Sequence, residues 1–453
     1  MSKQGFSLRL AEAATLLKAR YTGTDVILQG VSTDSRKDVQ GTLYVALRGP
    51  NFDAHAFVHD VQKAGAAACM VDREIEGLER SLIVKDTHQA LGELASLWRK
   101  RFSCPVIAIT GSNGKTTVKE MIAAILSQQG KVMATQGNLN NDIGVPLTLF
   151  RMSEQHQYAV IEMGANHHGE IKYLAGLTQP DVAVITNAGP AHLEGFGSVE
   201  GVSRAKGEIY SGLTDGGVAI INADDDYAGY WKALNLQRRT LTFGIQNSAD
   251  VSATLNATSG GNTMQLHTPV GGISITLRLL GRHNAMNALA ATASAIAVGI
   301  SLDRIKAGLE GMHPVKGRLQ SVVGVGNARI IDDTYNANPA SLQAALDVLT
   351  TVPGSRWLAL GDMGELGDEA LTMHSNAGVA AKAAGVDRLY TLGELASRAA
   401  QAYGPAARHF DNHDAMVSEL KTELKADVTL LVKGSRRSRM DKIVTALTLN
   451  GEA

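Results

Sequence analysis

The 453-residue sequence has few cysteines, few aromatic residues and no excess of charge of either sign. Cys69 and Cys104 are too few for a disulfide framework or a four-cysteine zinc site, and both lie in apolar stretches that predict reduced core residues. The 43 basic and 44 acidic residues give a formal net charge of -1, which offers no overall attraction to nucleic acid or to an anionic membrane. We therefore predict no nucleic-acid partner.

A long apolar run is also missing. Arg9, Glu12 and Lys18 interrupt the N-terminus, and the most apolar stretch, residues 288–300, is rich in alanine and broken by hydroxyl residues. These features predict a soluble cytoplasmic protein with no stable membrane insertion.

What is abundant is glycine, with 47 residues against 10 prolines and only 5 % aromatic residues. This composition favours α/β domains with many strand-to-helix turns, and the length is too great for one core. We predict three domains: a small α/β N-terminal domain (1–84), a central parallel-sheet ATPase domain with a phosphate loop (85–316) and a C-terminal Rossmann-like domain (317–453). The second and third domains are predicted from strand-like runs that alternate with helical segments, at 106–109, 158–161, 182–185 and 218–221, and at 330–332, 357–360, 388–392 and 428–432.

The segment TGSNGKTT lies between a predicted strand and an amphipathic helix, which is the setting of a phosphate loop. Ile109 stands where the common motif has its first glycine, so the pattern is the shorter G-x-x-G-K-T. Glycines let backbone N–H groups close on phosphate oxygens, a lysine neutralises them, and a hydroxyl can hold Mg²⁺. We predict ATP binding with Mg²⁺ by Gly111, Ser112, Asn113, Gly114, Lys115, Thr116 and Thr117.

Three further residues follow predicted strands or lie close to them at the same edge of the sheet. Glu162 ends a strand and is well placed to hold Mg²⁺, with a surface acid at a strand end as the less favoured alternative. His192 follows another strand, although a lone histidine is more often not a ligand. Lys206 is a helical lysine of the kind that is usually solvated.

Two segments elsewhere are dense in polar side chains. In GRHNAMNALAA, Asn284 could cap a helix and Asn287 could reach a base edge. The segment IIDDTYNANPAS predicts a ligand surface followed by a helix with Pro339 in its first turn. The basic turn LLVKGSRRSRM is either an anion site or a solvated turn.

Taken together, these motifs resemble the Mur ligases, the ATP-dependent amide ligases of peptidoglycan precursor synthesis. The resemblance covers essentially the whole chain. It includes the phosphate loop, VIEMGANHHGEI, AHLEGFGS, AKGEI, GRHNAMNALAA, KGR and VKGSR. The segments GNLNNDIGVP, DDTYNANPAS and GDMGELG look like the family member that adds D-alanyl-D-alanine.

The resemblance implies an ATP-dependent ligase that joins D-alanyl-D-alanine to UDP-N-acetylmuramoyl-tripeptide. We predict a monomer, although the sequence itself does not fix the oligomeric state. Lys115 and Thr116 would hold phosphates, Thr116 and Glu162 a first Mg²⁺, and His192 a second. Lys206 matches a lysine that is carbamoylated in this family. For nucleotide binding, the resemblance implies Asn287 at adenine, Arg318 at a phosphate and Asp333 at ribose. Residues 32–57 resemble the segment that holds the UDP-sugar. The substrate residues predicted in all are Thr33, Ser35, Arg36, Asn138, Asn141, Tyr335, Asn336, Lys433, Ser435 and Arg436.

The implied route is attack of the tripeptide carboxylate on the γ-phosphate, followed by attack of the dipeptide amine on the acyl phosphate. Charge neutralisation and alignment by the metals, Lys115, His192 and Lys206 would be the main catalytic contribution. Two alternatives remain from the sequence: a folylpolyglutamate synthase-like ligase, and a nucleotide-gated protein that hydrolyses ATP without ligating anything. The third peptide residue and the base for the amine stay open.

Overall fold

The N-terminal domain is built on a small mixed sheet. The computed structural model describes residues 5–190, 193–258 and 261–449. Its first strands and helices are β1 (Ser7–Arg9), α1 (Leu10–Leu16), β2 (Arg20–Thr22), β3 (Ile27–Gln29), β4 (Val31–Ser32), β5 (Leu43–Val45), β6 (Arg48–Gly49), β7 (Phe52–Asp53), α2 (Val58–Lys63), β8 (Ala68–Val71) and β9 (Ser81–Ile83). The main sheet has the order β2-β9-β8-β5-β4, with β4, β5, β8 and β9 parallel.

This domain packs directly against the next one through aromatic side chains. The Phe6 ring lies between Trp98 and Phe150, with ring centroids 5.0 Å and 4.8 Å away. Trp98 belongs to α3 (Thr87–Arg99), which begins where the Asp86 carboxylate accepts hydrogen bonds from two backbone N–H groups of its first turn. The hydrophobic core therefore continues from the N-terminal sheet into the helices that cover the central sheet.

The central domain carries a nine-stranded sheet. Its further elements are β10 (Val106–Thr110), α4 (Lys115–Leu126), β11 (Val132–Ala134), α5 (Gly144–Leu149), β12 (Tyr158–Glu162), α6 (Glu170–Thr178), β13 (Val182–Ile185), α7 (Leu193–Phe196), α8 (Val199–Gly207), β14 (Val218–Asn222), α9 (Ala228–Leu234), β15 (Arg239–Gly244), β16 (Val251–Thr258), β17 (Gly261–Thr268), β18 (Gly271–Leu277), α10 (Arg282–Ala297) and α11 (Leu302–Glu310). The order is β11-β12-β10-β13-β14-β15-β16-β17-β18.

The four parallel strands predicted from the sequence are confirmed as β10, β12, β13 and β14, and the parallel part of the sheet also contains β11 and β15, which were not predicted. In β10, Ile107 and Ile109 face one helix layer while Val106 and Ala108 face the other, so the strand is buried on both sides. At the far edge the sheet continues as β16, β17 and β18. In this part, β17 pairs antiparallel with both β16 and β18. The sequence analysis did not predict these three strands. Their apolar residues alternate with polar ones, so these strands lack the continuous apolar run that marks the core strands.

The C-terminal domain is a six-stranded sheet covered by helices. Its elements are β19 (Gln320–Val323), β20 (Arg329–Asp333), α12 (Pro339–Thr350), β21 (Ser355–Gly361), α13 (Ala370–Ala383), β22 (Arg388–Leu392), α14 (Ala396–Tyr403), β23 (Ala407–Phe410), α15 (His413–Glu423), β24 (Val428–Lys433) and α16 (Asp441–Leu447). The four predicted strands form the middle, in the order β20-β24-β21-β22. The edge strands β19 and β23 were not predicted, because both are short and largely polar or exposed.

The α/β class with three sheet-based domains is confirmed, whereas the boundaries at 84/85 and 316/317 stay a prediction. In the described part of the chain, no helix is both long and apolar enough to cross a membrane. Cys69 and Cys104 are free thiols, and burial raises the pKa of each.

Candidate active site

The loop between β10 and α4 has a shape that requires glycine. Gly111 has a φ of +147°, and a Cβ atom there would lie 1.9 Å from Thr186 Oγ1. Gly114 has a φ of +83°, and a Cβ atom there would lie 2.5 Å from Asn287 Oδ1. The loop residues Ser112, Asn113, Gly114, Lys115, Thr116 and Thr117 all line one cleft. A glycine-rich loop that opens a helix in this way fits the phosphates of a nucleotide.

Lys115 is the first residue of α4 and curls back over its own loop. Its Nζ donates to the carbonyl oxygen of Gly111 at 2.7 Å and to that of Ser112 at 3.4 Å. Burial lowers the pKa of Lys115, which the negative charge of Glu162 opposes. The lysine is therefore partly buried and held by the carbonyl oxygens of its own loop.

Glu162 and Thr116 meet at the edge of the sheet, as predicted. Glu162 pairs with Ile109 in the register of β10 and β12, and its side chain is buried. Thr116 Oγ1 donates to Glu162 Oε2 at 2.9 Å, and Asn140 Nδ2 donates to Glu162 Oε1 at 2.9 Å. A carboxylate beside a hydroxyl is the hard oxygen donor set that Mg²⁺ prefers, so these residues fit a metal. Among the described residues, no group of three or more His, Cys, Asp or Glu side chains is arranged to hold an ion.

Lys206 is buried in α8, and its side-chain amine makes no hydrogen bond to any described residue. Its Nζ lies 5.4 Å from the centroid of the Phe196 ring. Burial lowers the pKa of Lys206 to about 7, and the positive charge of Lys115 adds to the effect, while Glu170 and Glu208 oppose it. Lys206 is therefore not the solvated lysine that its helical position alone would favour, and burial shifts its amine towards the neutral form. His192 lies outside the described residues.

The first turns of α10 face the phosphate loop. Asn287 is buried, and its side chain lies against Gly114, since a Cβ atom on Gly114 would come within 2.5 Å of Asn287 Oδ1. Asn284 does not cap the helix, because the N-cap is Gly281. Instead Asn284 donates to the carbonyl of Leu280 at 2.7 Å and accepts from Asn287 Nδ2 at 3.1 Å. Asn284 thereby orients Asn287.

The C-terminal domain closes the cleft from the other side. Arg318 donates from Nη2 to Thr116 Oγ1 at 2.9 Å, and its guanidinium lies 4.2 Å from the centroid of the Tyr335 ring. The Nε atom of Arg318 is buried without a hydrogen-bond partner among the described residues. A cation fixed beside the phosphate loop in this way fits an anionic ligand.

Asp333, which is partly buried, and Lys433, which is buried, form an ion pair across the ends of two neighbouring strands. Lys433 Nζ lies 2.5 Å from Asp333 Oδ2 and donates to the carbonyl of Asn336 at 3.0 Å. Lys433 is thus already bonded within its own domain. In the same basic turn, the backbone N–H of Ser435 donates to the carbonyl of Asp362 at 2.9 Å, and Arg436 is exposed. Arg436 makes no hydrogen bond or ion pair with the part of the chain that the structure describes, yet it lines the cleft.

The cleft between the two domains has a volume of about 1470 Å³. That is ample for a nucleotide together with the reacting ends of two other substrates. On the central side it includes Asn138 and Asn141; the Asn141 side chain accepts a hydrogen bond from the Gly144 backbone at the start of α5. On the C-terminal side it includes Tyr335 and Asn336.

Comparisons with known proteins match both halves of this cleft. Residues 109–295 match a family described as Mur ligase middle domain, and residues 317–436 match one described as Mur ligase, glutamate ligase domain. The chain is 45 % identical over 449 residues to the UDP-N-acetylmuramoyl-tripeptide–D-alanyl-D-alanine ligase of Escherichia coli strain K12, covering 98 % of this chain and 99 % of that protein.

The chain belongs to the Mur ligase family.

Solved structures of similar proteins agree with this. A crystal structure of MurF from Acinetobacter baumannii superposes with a TM-score of 0.92 at 37 % identity and covers 98 % of this Mur ligase and 99 % of that chain. MurF ligase from Thermotoga maritima, solved in complex with ADP, has a TM-score of 0.84 at 27 % identity, with 92 % and 96 % covered.

The UDP-sugar residues predicted from the sequence lie outside the described cleft lining of this Mur ligase. Thr33, Ser35 and Arg36 follow β4 in the N-terminal domain. The Arg36 guanidinium bonds Asp34 at 2.8 Å and 3.0 Å, which lowers the pKa of Asp34 to about 2. Their role stays a prediction.

Sequence reasoning missed several residues of the site. Thr186 and Asn187 follow β13 directly, and their side chains form hydrogen bonds with the backbone of Asn113. Their position at the end of a predicted strand could have indicated that they belong to the site. Asn140 donates a hydrogen bond to Glu162, whereas the sequence analysis predicted its neighbours Asn138 and Asn141 as site residues. Nothing local distinguishes Asn140 from those neighbours.

Proposed function

We propose that this Mur ligase catalyses the ATP-dependent joining of D-alanyl-D-alanine to UDP-N-acetylmuramoyl-tripeptide, giving UDP-N-acetylmuramoyl-pentapeptide, ADP and phosphate. The observation that carries the proposal is the cleft itself. It places the phosphate loop and Glu162 opposite Arg318 and the basic turn of the C-terminal domain. A reaction that activates one substrate with ATP and then couples it to a second needs two such facing surfaces.

In the first step, the terminal carboxylate of the tripeptide attacks the γ-phosphate of ATP and forms an acyl phosphate with release of ADP. Two anions must approach each other, so positive charge at the loop lowers the barrier. Lys115 and Arg318 provide that charge from the two sides of the cleft. Thr116 and Glu162 would hold Mg²⁺, whose chemistry is to neutralise phosphate charge. In the second step, the dipeptide amine attacks the acyl carbon and phosphate leaves.

Lys206 is proposed to act as a carbamate. A neutral lysine amine can add to CO₂, which replaces a cation by an anion suited to a second metal ion. Its burial and its pKa of about 7 support this role. His192 is proposed as a ligand of the same metal on the family resemblance alone.

The remaining roles follow the family resemblance. Asn287 is proposed to contact adenine and Asp333 the ribose, with Lys433 fixing Asp333 through their ion pair. The substrate contacts are proposed for Thr33, Ser35, Arg36, Asn138, Asn141, Tyr335, Asn336, Ser435 and Arg436. We place the enzyme in the cytoplasm, since its reaction draws on ATP and its two thiols are free. We propose that it acts as a monomer.

The decisive test offers the purified full chain a mixture of UDP-muramoyl peptides together with D-alanyl-D-alanine, single D-amino acids and glutamate. Mass spectrometry should find the pentapeptide from the tripeptide and the dipeptide, with one ADP formed per peptide bond. A folate substrate extended with glutamate would instead identify a folylpolyglutamate synthase-like ligase. Phosphate release that needs neither peptide substrate would identify an ATP-hydrolysing binding protein.

A further inference from the structure

A direct contact joins the phosphate loop to the N-cap residue of α12 in the C-terminal domain. Asn338 Nδ2 donates to Asn113 Oδ1 at 2.9 Å, although the two residues are 225 positions apart. Asn338 is buried and Asn113 is partly buried. Together with the bond from Arg318 to Thr116, this contact ties the loop to the opposite wall of the cleft.

The backbone of Asn113 is fixed by the central domain alone. Its N–H donates to Asn187 Oδ1 at 3.0 Å. Its carbonyl accepts from Thr186 Oγ1 at 2.6 Å and from Asn187 Nδ2 at 3.1 Å. The end of β13 therefore sets the position of this residue, and its side-chain oxygen is presented to the C-terminal domain.

Asn338 is oriented just as firmly by its own helix. Its Oδ1 accepts from the Ser341 backbone N–H at 2.8 Å, and its backbone N–H donates to Ser341 Oγ at 3.0 Å, which is a complete capping box. Because an N–H donor needs an oxygen acceptor, this cap settles which end of the Asn338 amide carries the nitrogen. The Nδ2 group therefore faces Asn113 and donates one of its two N–H groups to Asn113 Oδ1.

We propose that Asn338 is a positioning residue that engages Asn113 when the domains close, and so aligns the acceptor side of the cleft with the phosphate loop. The proposal rests on the proposed function, in which an acyl phosphate formed at the loop is attacked by an amine held from the C-terminal domain. A bond between two neutral amides suits this task, because it is weak enough to open in every catalytic cycle.

The chain offers substitutions that separate this contact from the helix cap. Asn338→Ser keeps a good N-cap but loses the donor to Asn113, and Asn338→Asp keeps the cap oxygen while placing a carboxylate against Asn113 Oδ1. Ser341→Ala is the matched control, because it removes half of the capping box and leaves the Asn338–Asn113 bond in place. Thermal unfolding of all variants checks that the fold is kept.

With saturating ATP and UDP-tripeptide, Asn338→Ser should raise the KM for D-alanyl-D-alanine or lower kcat so that kcat/KM falls about fivefold to tenfold. Asn338→Asp should lower kcat/KM at least as far, and Ser341→Ala should leave kcat/KM within about twofold of the wild-type value. The Kd of a non-hydrolysable ATP analogue, measured without the other substrates, should not change in Asn338→Ser. Small-angle scattering with that analogue and UDP-tripeptide should show a larger radius of gyration for Asn338→Ser than for the wild type.

Equal losses in Asn338→Ser and Ser341→Ala would reduce Asn338 to a helix cap and overturn the proposal. So would wild-type kinetics and scattering in Asn338→Ser, or an equal weakening of nucleotide and dipeptide. If the wild type formed no pentapeptide, the proposed function would fail; the scattering comparison would still decide whether Asn338 holds the domains closed.

Discussion

Carbamoylation of Lys206 can be measured in the free enzyme by changing pH at a fixed pressure of CO₂. The reaction needs the neutral amine, and the structure strongly favours that form. Lys206 is 1 % exposed, and burial together with the charge of Lys115 brings its pKa to about 7. Because a phosphate ligand would alter this balance, the measurement is made without nucleotide.

The size of the effect follows from the pKa. At pH 8 an amine with a pKa of about 7 is about 90 % neutral, whereas one with the ordinary value of 10.5 is about 0.3 % neutral. Burial therefore increases the reactive fraction roughly 300-fold at this pH. Carbamate at Lys206 should be present at pH 8 and should disappear as the pH falls through about 7, since the amine then takes up a proton.

The assay is carbon-13 NMR of the full chain under labelled CO₂. One carbamate signal should appear in the wild type and in Lys172→Met, which changes an exposed lysine of α6, and it should be missing in Lys206→Met. Lys206→Ala should lose ligase activity and regain part of it with short carboxylic acids, because these can supply the missing carboxylate. Identical spectra for wild type and Lys206→Met, or full activity of Lys206→Ala in bicarbonate-free buffer, would refute the reasoning.

Four further outcomes follow from the site. Lys206→Met should raise the free energy of unfolding by up to about 4 kcal/mol at pH 7.5 without CO₂, because it removes the cost of burying the lysine. That cost is complete below pH 7 and falls as the pH rises towards 10.5, since between these values the lysine is protonated only in the unfolded state. Chemical denaturation that finds the same gain in stability at pH 7.5 and at pH 9.5 would contradict this expectation. Lys115→Ala should abolish ligation, and a coupled ADP assay showing activity within about tenfold of wild type would contradict its role at the phosphates. Glu162→Gln should raise the Mg²⁺ concentration for half-maximal activity by roughly tenfold or more, and an unchanged magnesium titration would remove Glu162 from the metal site. Arg436→Ala should raise the KM for D-alanyl-D-alanine roughly tenfold to a hundredfold with little change for ATP, whereas equal weakening of both would indicate impaired domain closure.

The sequence by itself determined the parts of this protein that depend on neighbouring residues. The phosphate loop could be predicted because strand, glycine turn and amphipathic helix follow one another, and Glu162 could be placed beside it because parallel strands end at one edge. The start of α12 was also readable, since Pro339 in the first turn is a local signal, and the structure places it there.

Tertiary structure alone decided which polar groups meet. The burial of Lys206, the pairing of Lys433 with Asp333 and the choice of Asn140 as the partner of Glu162 depend on how helices and loops pack around the sheets. The bonds from Arg318 to Thr116 and from Asn338 to Asn113 depend in addition on how two domains are placed relative to each other. No local pattern carries that information, because each hydrogen bond joins residues more than 200 positions apart whose separation in space is set by the packing of both domains.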